Sequence, residues 1–533
     1  MKFRYLIASV TLLACGLSAF GVPARPGFHS LVGPDGQQIE VEMKGDEHFH
    51  YFVDRQGRRL ERTSAGSLRF MADADFSLRM AAAAEARKAP VEIERKFPTT
   101  GTVRGLVILT EFPDCKFQEG STREYFDAKI NSIGYQGQET FGSVADFFAE
   151  QSQGRFSPVF DVVGPVTLSH PASYYARNDL SNFFREICQL ADKECDVDFS
   201  KYDIDNDGFV DFVFSIFAGY SQAQSLNSSD IWPAMQYLSD YVYDIFDDKY
   251  LNVAACASEL RGSSGTDLDG IGTICHEFSH ILGLPDIYDS GYTGGYGMGH
   301  YDIMDVGTYN GDSRIPCGYT AFDRYTLGWL DPVELSGSGF DFELQNLVES
   351  GSAAVIVNPA DNTEFFTLEN RQLVGFDSGL PGHGLIISQI NYDPAVWKNN
   401  IVNNIQRAGY EHVRLIAANN TKVTDAESGH PFPGEKCVTA FSASTLPAAS
   451  WVKGGKEFQM PITNIRETSD GRILFDYGTT AGISTISASS SSSLFEGGAR
   501  IFSLSGAEVS ASAIVPGIYI VLKDGVASKV AVR

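Results

Sequence analysis

The stretch of this chain that most constrains its fold is "CHEFSHILGLPDIYD", at residues 275–289. Its apolar residues recur at helical spacing, and Asp267 or Asp269 just upstream can cap the start of a helix. His276 and His280 lie four residues apart, so both imidazoles share one helical face, with Cβ atoms about 5–6 Å apart. That spacing lets two imidazoles bind one zinc ion.

The residues around the two histidines favour a catalytic metal site. Glu277 follows the first histidine, where its carboxylate can reach a water molecule on the metal instead of the metal itself. Gly283 permits a left-handed turn and Pro285 prevents the helix from resuming, so Asp286 can return as a third ligand. Three protein ligands leave a fourth position on zinc for water. The alternative is a pair of hydrogen-bonded core histidines without metal.

The third ligand has one other candidate. His300 has suitable chemistry but lies in the loop-like stretch "GGYGMGHYD", with no helix to orient it. A downstream glutamate is excluded, because no glutamate occurs between His280 and Glu334. Asp286 is therefore the predicted ligand.

A second ion site is predicted in "DIDNDGFVD", at residues 203–211. Four aspartates fall at positions 1, 3, 5 and 9 of a calcium-binding loop: Asp203, Asp205, Asp207 and Asp211. Gly208 lies at the sharp turn, but position 12 is Phe214 where an EF-hand has glutamate. A solvated acidic turn before a buried strand is the alternative to a stabilising calcium site.

The charge balance limits the partners of the chain. Its 533 residues include 41 Lys+Arg and 67 Asp+Glu, a formal net charge of −26. This charge repels phosphate backbones and anionic lipid surfaces. We expect no nucleic-acid partner and no nucleotide cofactor.

The first residues are typical of an export signal. Lys2 and Arg4 precede an uncharged run, and small residues at positions 19 and 21, or 22 and 24, offer cleavage sites. A membrane anchor is the alternative, although the run is only weakly apolar. Lipid attachment at Cys15, which follows two leucines and an alanine, is a third possibility.

Composition shifts divide the chain into six segments. Residues 25–96 alternate apolar and polar residues as in strands, and end in a helical, charged connector with the basic pairs Arg87-Lys88 and Arg95-Lys96. The predicted order is a signal peptide (1–24), a prosegment (25–96), a catalytic domain (97–332), a β-rich domain (333–478), a Ser-rich linker (479–493) and a small β domain (494–533).

The extended pattern H-E-x-x-H-x-x-G-x-x-D, followed by "YDIMDVGTYNG", resembles the immune inhibitor A family of secreted bacterial zinc metallopeptidases, relatives of the metzincins. Segments such as "GSVADFFAEQSQGRFSPVFDVVGPVTL" and "GYTAFDRYTLGWL" extend the similarity over about residues 102–477. One departure is Ala234 after "IWP", where relatives often have histidine. The site residues that the resemblance implies are His276, His280 and Asp286 for zinc, Glu277 as general base and Met304 as the floor of the site.

The resemblance implies an α+β fold: a metzincin-like catalytic domain with a twisted mixed sheet, an active-site helix and a Met-turn, joined to β-rich accessory domains. The expected function is secreted zinc endopeptidase, with water activated by zinc and Glu277 as base, acting on protein or peptide substrates. Tyr301 or Tyr309 could donate to the developing oxyanion, with aromatic packing as the alternative role. A catalytically inactive surface binding protein is the alternative function.

Latency cannot use a cysteine, because none occurs between residues 25 and 100. Steric cover is the remaining device, with a group from "GDEHFH" at the open zinc position: Asp46, Glu47, His48 or His50. A prosegment that only assists folding is the alternative.

The C-terminal stretch "ARIFSLSGAEVSASAIVPGIYIVLKDGVASKVAVR" resembles the sorting domains of the type IX secretion system of Bacteroidetes. It has a strand, "LSG", "PGIYIV", a turn and a final strand in that family's order. The resemblance implies secretion machinery as a partner. An appended β domain for stability or binding is the alternative.

Overall fold

The structure is a computed structural model with mixed α+β architecture and several separate sheets. It describes residues 19–63, 66–86, 97–177, 180–238, 245–291, 295, 297–421, 423, 428–455, 457–478, 484–486, 499–515, 517–523 and 526–532. Lys2, Arg4, Cys15 and the two basic pairs therefore lie outside the described residues. Within those ranges, no helix combines the length and apolar character needed to span a bilayer.

The N-terminal region forms an antiparallel five-stranded sheet in the order β2-β3-β4-β5-β6. Its elements are β1 (Ala19–Phe20), β2 (Phe28–Val32), β3 (Gln38–Gly45), β4 (His50–Asp54), β5 (Arg59–Arg62), β6 (Leu68–Phe70) and α1 (Asp73–Ala86). The stretches "QIEVEM" and "FHYFVD" lie in β3 and β4, where the alternating pattern predicts strands. β1 belongs to the sheet of the next region instead.

The central region is built on a mixed six-stranded sheet in the order β1-β11-β14-β10-β7-β8. Its strands are β7 (Gly101–Glu111), β8 (Phe156–Thr167), β9 (Phe209–Val210), β10 (Val213–Tyr220), β11 (Met235–Tyr237), β12 (Ile245–Phe246), β13 (Lys249–Leu251) and β14 (Val253–Leu260). Its helices are α2 (Arg123–Asn131), α3 (Val144–Gln151), α4 (Ala172–Tyr175), α5 (Ser181–Cys195), α6 (Gln222–Ser225), α7 (Gly272–Ile281) and α8 (Ala321–Thr326). β9, β13 and β12 form a small separate sheet.

The parallel strands β8, β7, β10 and β14 form the centre of this sheet, and β11 runs antiparallel along its side. Leu106 and Ile108 of β7 enter one hydrophobic cluster, whereas Val107 and Leu109 enter another. The sheet is therefore buried on both faces, which explains the unbroken apolar run of β7. α7 packs on the face of Val107 and Leu109.

The region after residue 332 is rich in strands, as the sequence predicts. Its elements are β15 (Val333–Glu334), β16 (Gly339–Leu344), α9 (Leu347–Ser350), β17 (Ala353–Val357), β18 (Glu364–Arg371), β19 (Gly384–Asn391), α10 (Pro394–Lys398), α11 (Ile405–Ala408), β20 (Val413–Leu415), β21 (Ile462–Glu467) and β22 (Ile473–Tyr477). They form a five-stranded sheet, β15-β17-β18-β19-β20, and a three-stranded sheet, β16-β22-β21. One apolar cluster joins the two sheets.

The C-terminal tail forms a four-stranded sheet in the order β23-β26-β25-β24. Its strands are β23 (Ser484–Ile486), β24 (Arg500–Ser503), β25 (Gly517–Lys523) and β26 (Val526–Val532). β23 falls within the predicted linker 479–493, yet it pairs in parallel with β26. Ser-rich composition argues against a core, but main-chain pairing with an open strand edge needs no core.

Candidate metal centre

α7 carries both predicted histidines and the glutamate, but it begins later than the caps Asp267 and Asp269 would require. Its first residue is Gly272, and Asp269 accepts a hydrogen bond from Gln224 Nε2 at 2.7 Å instead of capping the helix. The predicted reversal after the helix is confirmed, since Gly283 has a φ of 98°. This turn directs the chain back toward the histidines.

Main-chain carbonyls orient both imidazoles. His276 Nδ1 lies 2.7 Å from Ile303 O, and His280 Nδ1 lies 2.8 Å from Leu284 O. Because a carbonyl only accepts hydrogen bonds, Nδ1 of each neutral ring is the protonated nitrogen. Each Nε2 atom therefore presents a lone pair to the space between the two rings, as metal-binding histidines do.

Three ligand atoms converge in that space. Asp286 Oδ1 lies 3.2 Å from His276 Nε2 and 3.3 Å from His280 Nε2, and all three side chains are buried. None of the three atoms has a hydrogen-bond partner. Buried polar atoms without partners are rare in proteins, and two imidazoles with one carboxylate are a common zinc donor set. The residues present therefore fit a zinc ion.

Asp286 is held by Asn400, a residue that the sequence pattern does not reveal. Asn400 Nδ2 donates to Asp286 Oδ2 and the Asp286 N–H donates to Asn400 Oδ1, each at 2.6 Å. The remaining oxygen, Oδ1, is the one that faces the histidines. Asn400 lies 114 residues away in sequence, so no local spacing connects it with the site.

Glu277 lies beside the three ligand atoms and is fully buried. Its Oε1 accepts a hydrogen bond from the Val22 N–H at 2.9 Å, and its Oε2 has no partner. Burial raises the pKa of this carboxyl to about 8, partly offset by the nearby His280 imidazole. The charges of His280 and Asp286 both act on this carboxyl, which therefore lies near the ligand group.

The chain around Met304 passes close to the ligands. Met304 is fully buried and follows Ile303, whose carbonyl orients His276. Its own carbonyl accepts a hydrogen bond from the Ile287 N–H at 2.8 Å, next to Asp286. His300, the other candidate ligand, instead places Nδ1 2.7 Å from Asn310 Oδ1.

The two tyrosines named from the sequence are buried and have different partners. Tyr301 is buried with its ring 6.1 Å from that of His430, whereas the Tyr309 hydroxyl donates to Pro23 O at 2.7 Å. The hydroxyl of Tyr288, which the sequence analysis overlooked, donates to Gly21 O at 2.9 Å. Its position two residues after Asp286 is the feature of the sequence that could have identified it as a residue near the site.

The cleft contains the N-terminal segment of the chain. β1 pairs antiparallel with β11, the Phe20 ring lies 5.6 Å from the His280 ring, and Trp232 Nε1 donates to Val22 O at 2.9 Å. Of the "GDEHFH" groups proposed for the metal, a His48 ring nitrogen contacts Ala19 O and the His50 ring stacks on Trp232. Glu47 lies against the segment itself, with Oε2 3.0 Å from the position of a Cβ atom at Gly21. Residues 19–24, predicted as the end of the signal, thus reach Glu277 instead.

The aspartate loop also brings carboxylates together. Oxygens of Asp203, Asp205 and Asp211 lie within 4.8 Å of one another, but Asp207 is not in this group and accepts a hydrogen bond from the Phe209 N–H. Lys249 Nζ lies 2.6 Å from Asp203 Oδ2. Burial, with the neighbouring aspartates, raises the pKa of Asp211 to about 6.

Comparison with known proteins matches residues 99–331 to a family model described as immune inhibitor A peptidase M6, catalytic domain. Two similar proteins are the pre-pro-metalloproteases PrtV of Vibrio cholerae serotype O1, from strain M66-2 and from strain ATCC 39315 / El Tor Inaba N16961. Each is 24% identical over 288 residues, which covers 44% of this chain. The match spans 31% of the length of each relative. The matched family range includes α7, Asp286 and Met304.

Proposed function

Residues 99–331 belong to the immune inhibitor A peptidase M6 family, and on that premise we propose that this chain is a zinc endopeptidase acting on proteins or peptides. The observation that carries the proposal is the convergence of His276 Nε2, His280 Nε2 and Asp286 Oδ1, three buried atoms without hydrogen-bond partners. Only a cation satisfies all three at once.

Zinc held by these residues would supply a Lewis acid that polarises the scissile carbonyl and activates water. Glu277 serves as the general base, because its carboxyl interacts electrostatically with His280 and Asp286 and its Oε1 already contacts an amide nitrogen. The same carboxyl can pass the proton to the amine that leaves. The amide nitrogen that Glu277 contacts belongs to Val22, and the Tyr288 hydroxyl donates to the carbonyl oxygen of the same peptide bond, Gly21 O. In a substrate, negative charge would develop on the corresponding oxygen.

The chain is proposed to be made as a zymogen. Residues 19–24 lie over Glu277, and the Ala24 N–H donates to Gly45 O of β3 at 2.7 Å, which ties them to the prosegment sheet. A substrate could not occupy the same space. The Vibrio relatives are themselves named pre-pro-metalloproteases.

Export is part of the proposal, and in place of the signal over residues 1–24 that the sequence predicts we propose a signal that ends before residue 19. Gly16 and Ser18 have the small-residue spacing of a cleavage site, so the segment in the cleft would remain on the exported chain. Lipid attachment at Cys15 would also leave residues 19–24 on the exported chain. The C-terminal sheet would engage secretion machinery, as its resemblance to sorting domains implies.

Two finer assignments complete the proposal. The Met304 loop beside α7 supports a metzincin-like arrangement, with Met304 as the apolar floor. Calcium in the aspartate loop is supported by the convergent oxygens of Asp203, Asp205 and Asp211. A bound calcium ion would displace the Lys249 ammonium from Asp203.

Paired substitutions of Glu277 and Asp286 test the proposed activity. Glu277→Gln keeps the size of the side chain but cannot accept the proton, so zinc content should be unchanged while peptide hydrolysis falls at least about 10²-fold. Asp286→Ala should lower zinc content and hydrolysis together, whereas His300→Ala should leave zinc in place. Metal analysis and a peptide assay on the activated chain measure both quantities. Unchanged hydrolysis by zinc-loaded Glu277→Gln would refute the role of the glutamate.

A further inference from the structure

The N-terminal segment crosses the cleft in a defined register. β1 runs antiparallel to β11, with Phe20 opposite Met235. Two residues further on, the Val22 N–H donates to Glu277 Oε1 and Gly21 O accepts from the Tyr288 hydroxyl, each at 2.9 Å. Both atoms belong to the peptide bond between Gly21 and Val22. One peptide unit therefore lies between the proposed base and a hydroxyl donor.

The side chains on either side of this bond meet different surroundings. Phe20 is 7% exposed, and its ring lies 6.1 Å from the Tyr237 ring as well as against His280. Val22 is 0% exposed and belongs to an apolar cluster that includes Ala223 and Trp232 of the central region as well as residues of strands β3 to β6. The cleft thus has an aromatic-lined pocket before the bond and an apolar pocket after it.

Gly21 occupies a position with no room for a side chain. A Cβ atom there would lie 2.5 Å from Pro233 O, 3.0 Å from Glu47 Oε2 of the N-terminal region and 3.1 Å from the Ala234 Cβ atom. Pro233 and Ala234 belong to the central region, so removal of the prosegment would leave them in place. The contact with Pro233 O is the severe one. The main chain that leads into β11 can move less than a flexible side chain.

Two further side chains donate hydrogen bonds to the main chain of the segment. Trp232 Nε1 donates to Val22 O at 2.9 Å, and the Tyr309 hydroxyl donates to Pro23 O at 2.7 Å. Every extended peptide offers carbonyl groups at this spacing. These donors can therefore hold chains of different sequence, while the pockets select side chains.

We propose, on the basis of the endopeptidase function, that this segment marks the substrate register: the enzyme cleaves extended segments with glycine before the scissile bond and an aliphatic residue after it. An aromatic or other large apolar residue precedes the glycine. Pro233 and Ala234 exclude larger residues from the glycine position, and Ala223 with Trp232 forms the part of the apolar pocket that remains when the N-terminal sheet is removed. Hydrolysis breaks the C–N bond after glycine, and water supplies the hydroxyl of the new carboxyl group and the proton of the new amine.

Quenched fluorogenic peptides containing Ala-Phe-Gly-Val-Pro-Ala test the register on the full chain after activation by limited trypsin treatment. Replacing the peptide glycine by alanine, or its valine by aspartate, should lower kcat/KM at least about tenfold, whereas replacing the first alanine by serine should change it little. The enzyme variant Ala223→Val should shift the preference after the bond from valine toward alanine, because it narrows the pocket. A merely structural effect of Ala223→Val would lower kcat/KM equally for the peptide with valine and the peptide with alanine after the bond.

Hydrogen exchange on the uncleaved chain gives a readout that does not depend on catalysis. Gly21→Ala should speed exchange of the Val22 amide, because the new methyl group cannot fit beside Pro233 O. Val32→Ala, at an exposed position of β2, is the matched control and should leave that amide unchanged. Unchanged exchange in Gly21→Ala would overturn the steric argument.

The outcomes separate the register from the function. If the activated enzyme cuts peptides without preference for glycine and an aliphatic residue around the bond, the register is wrong and the endopeptidase function stands. If it cuts no peptide, the proposed function fails, and the exchange measurement still decides whether the glycine position is closed.

Discussion

Single side chains from distant parts of the chain decide the geometry of the metal centre. Asn400 binds Asp286 through both its amide oxygen and its amide nitrogen, so the carboxylate can present only Oδ1 to the histidines. The carbonyls of Ile303 and Leu284 likewise fix the orientation of the His276 and His280 imidazoles, each through a hydrogen bond from Nδ1. The ligands are therefore oriented before a metal arrives, which lowers the entropic cost of binding.

Asn400→Ala is expected to weaken zinc binding about 10- to 100-fold, because the Asp286 carboxylate loses its donor and can rotate. Competition with a chelator of known zinc affinity measures the change. The neighbouring residue provides the control, since the Asn399 side chain donates to the local Ala395 carbonyl. If both alanine variants release zinc at the same chelator concentration as the wild type, Asn400 does not position the ligand.

At the scale of elements, β18 and α3 meet the Met304 region at a buried cluster of charges. Arg371 pairs with Glu369 at 3.0 Å and with Asp377 at 2.6 Å, and its guanidinium also donates to Tyr301 O at 3.3 Å. Breaking a buried pair of this kind usually costs about 3–5 kcal/mol. The β-rich region therefore supports the loop beneath the metal centre instead of forming a detached module.

Glu150 of α3 lies at the edge of this cluster and predicts a pH dependence of stability. Burial raises its pKa to about 7, with nearby Asp377 adding to the shift and Arg324 and Arg371 opposing it. Because the folded-state pKa lies above the unfolded value of 4.5, folding favours the protonated form. The contribution of Glu150 to stability is thus greatest below about pH 4.5 and is lost as the pH rises to about 7.

Glu150→Gln should therefore raise the melting temperature at pH 8 and change it little at pH 4.5. The glutamine oxygen can still accept the Phe376 N–H, and about 1.4 kcal/mol per pKa unit sets an upper limit of about 3 kcal/mol. A gain of about 2–6 °C at pH 8 is expected by calorimetry. Glu349→Gln, on an exposed position of α9, is the control. A gain of equal size at both pH values would contradict the titration of Glu150.

The whole molecule combines a cleft with a covering region of the same chain. The prosegment strands contribute Val41, Met43 and Phe52 to the apolar cluster that holds Val22 and Trp232. Residues 87–96, which carry the two basic pairs, connect this region to β7 and lie outside the described residues. Cutting that connector would break the covalent link between the N-terminal region and the region that holds the proposed metal ligands.

Limited trypsin treatment of the purified chain should release peptidase activity, because the polar connector carries Arg87-Lys88 and Arg95-Lys96, and trypsin cuts after basic residues. Changing Arg87, Lys88, Arg95 and Lys96 to alanine should prevent that activation. A variant with Arg55 and Arg69 changed to alanine, both on the exposed surface of the prosegment, serves as the control and should still be activated. Full activity of the uncleaved chain with the prosegment attached would disprove inhibition.

The sequence by itself determined the local chemistry of the site. The four-residue spacing of His276 and His280, the adjacent Glu277 and the reversal at Gly283 all depend on helical periodicity and backbone sterics within a short stretch. Such features are encoded by neighbours in the chain, so their spacing can be read directly. The start of the helix was missed because Asp269 bonds to Gln224, a tertiary partner that local cap rules do not include.

Only the tertiary structure decided which distant groups reach that site. Asn400 meets Asp286 across 114 residues and Val22 meets Glu277 across 255 residues, through the packing of separate sheets. The alternation of β-strand residues indicates which faces are buried, but it does not specify which strand edge pairs with which partner. For that reason the sequence predicts steric cover by a "GDEHFH" group, but it does not reveal that β1 pairs with the edge of β11 or that Val22 reaches Glu277.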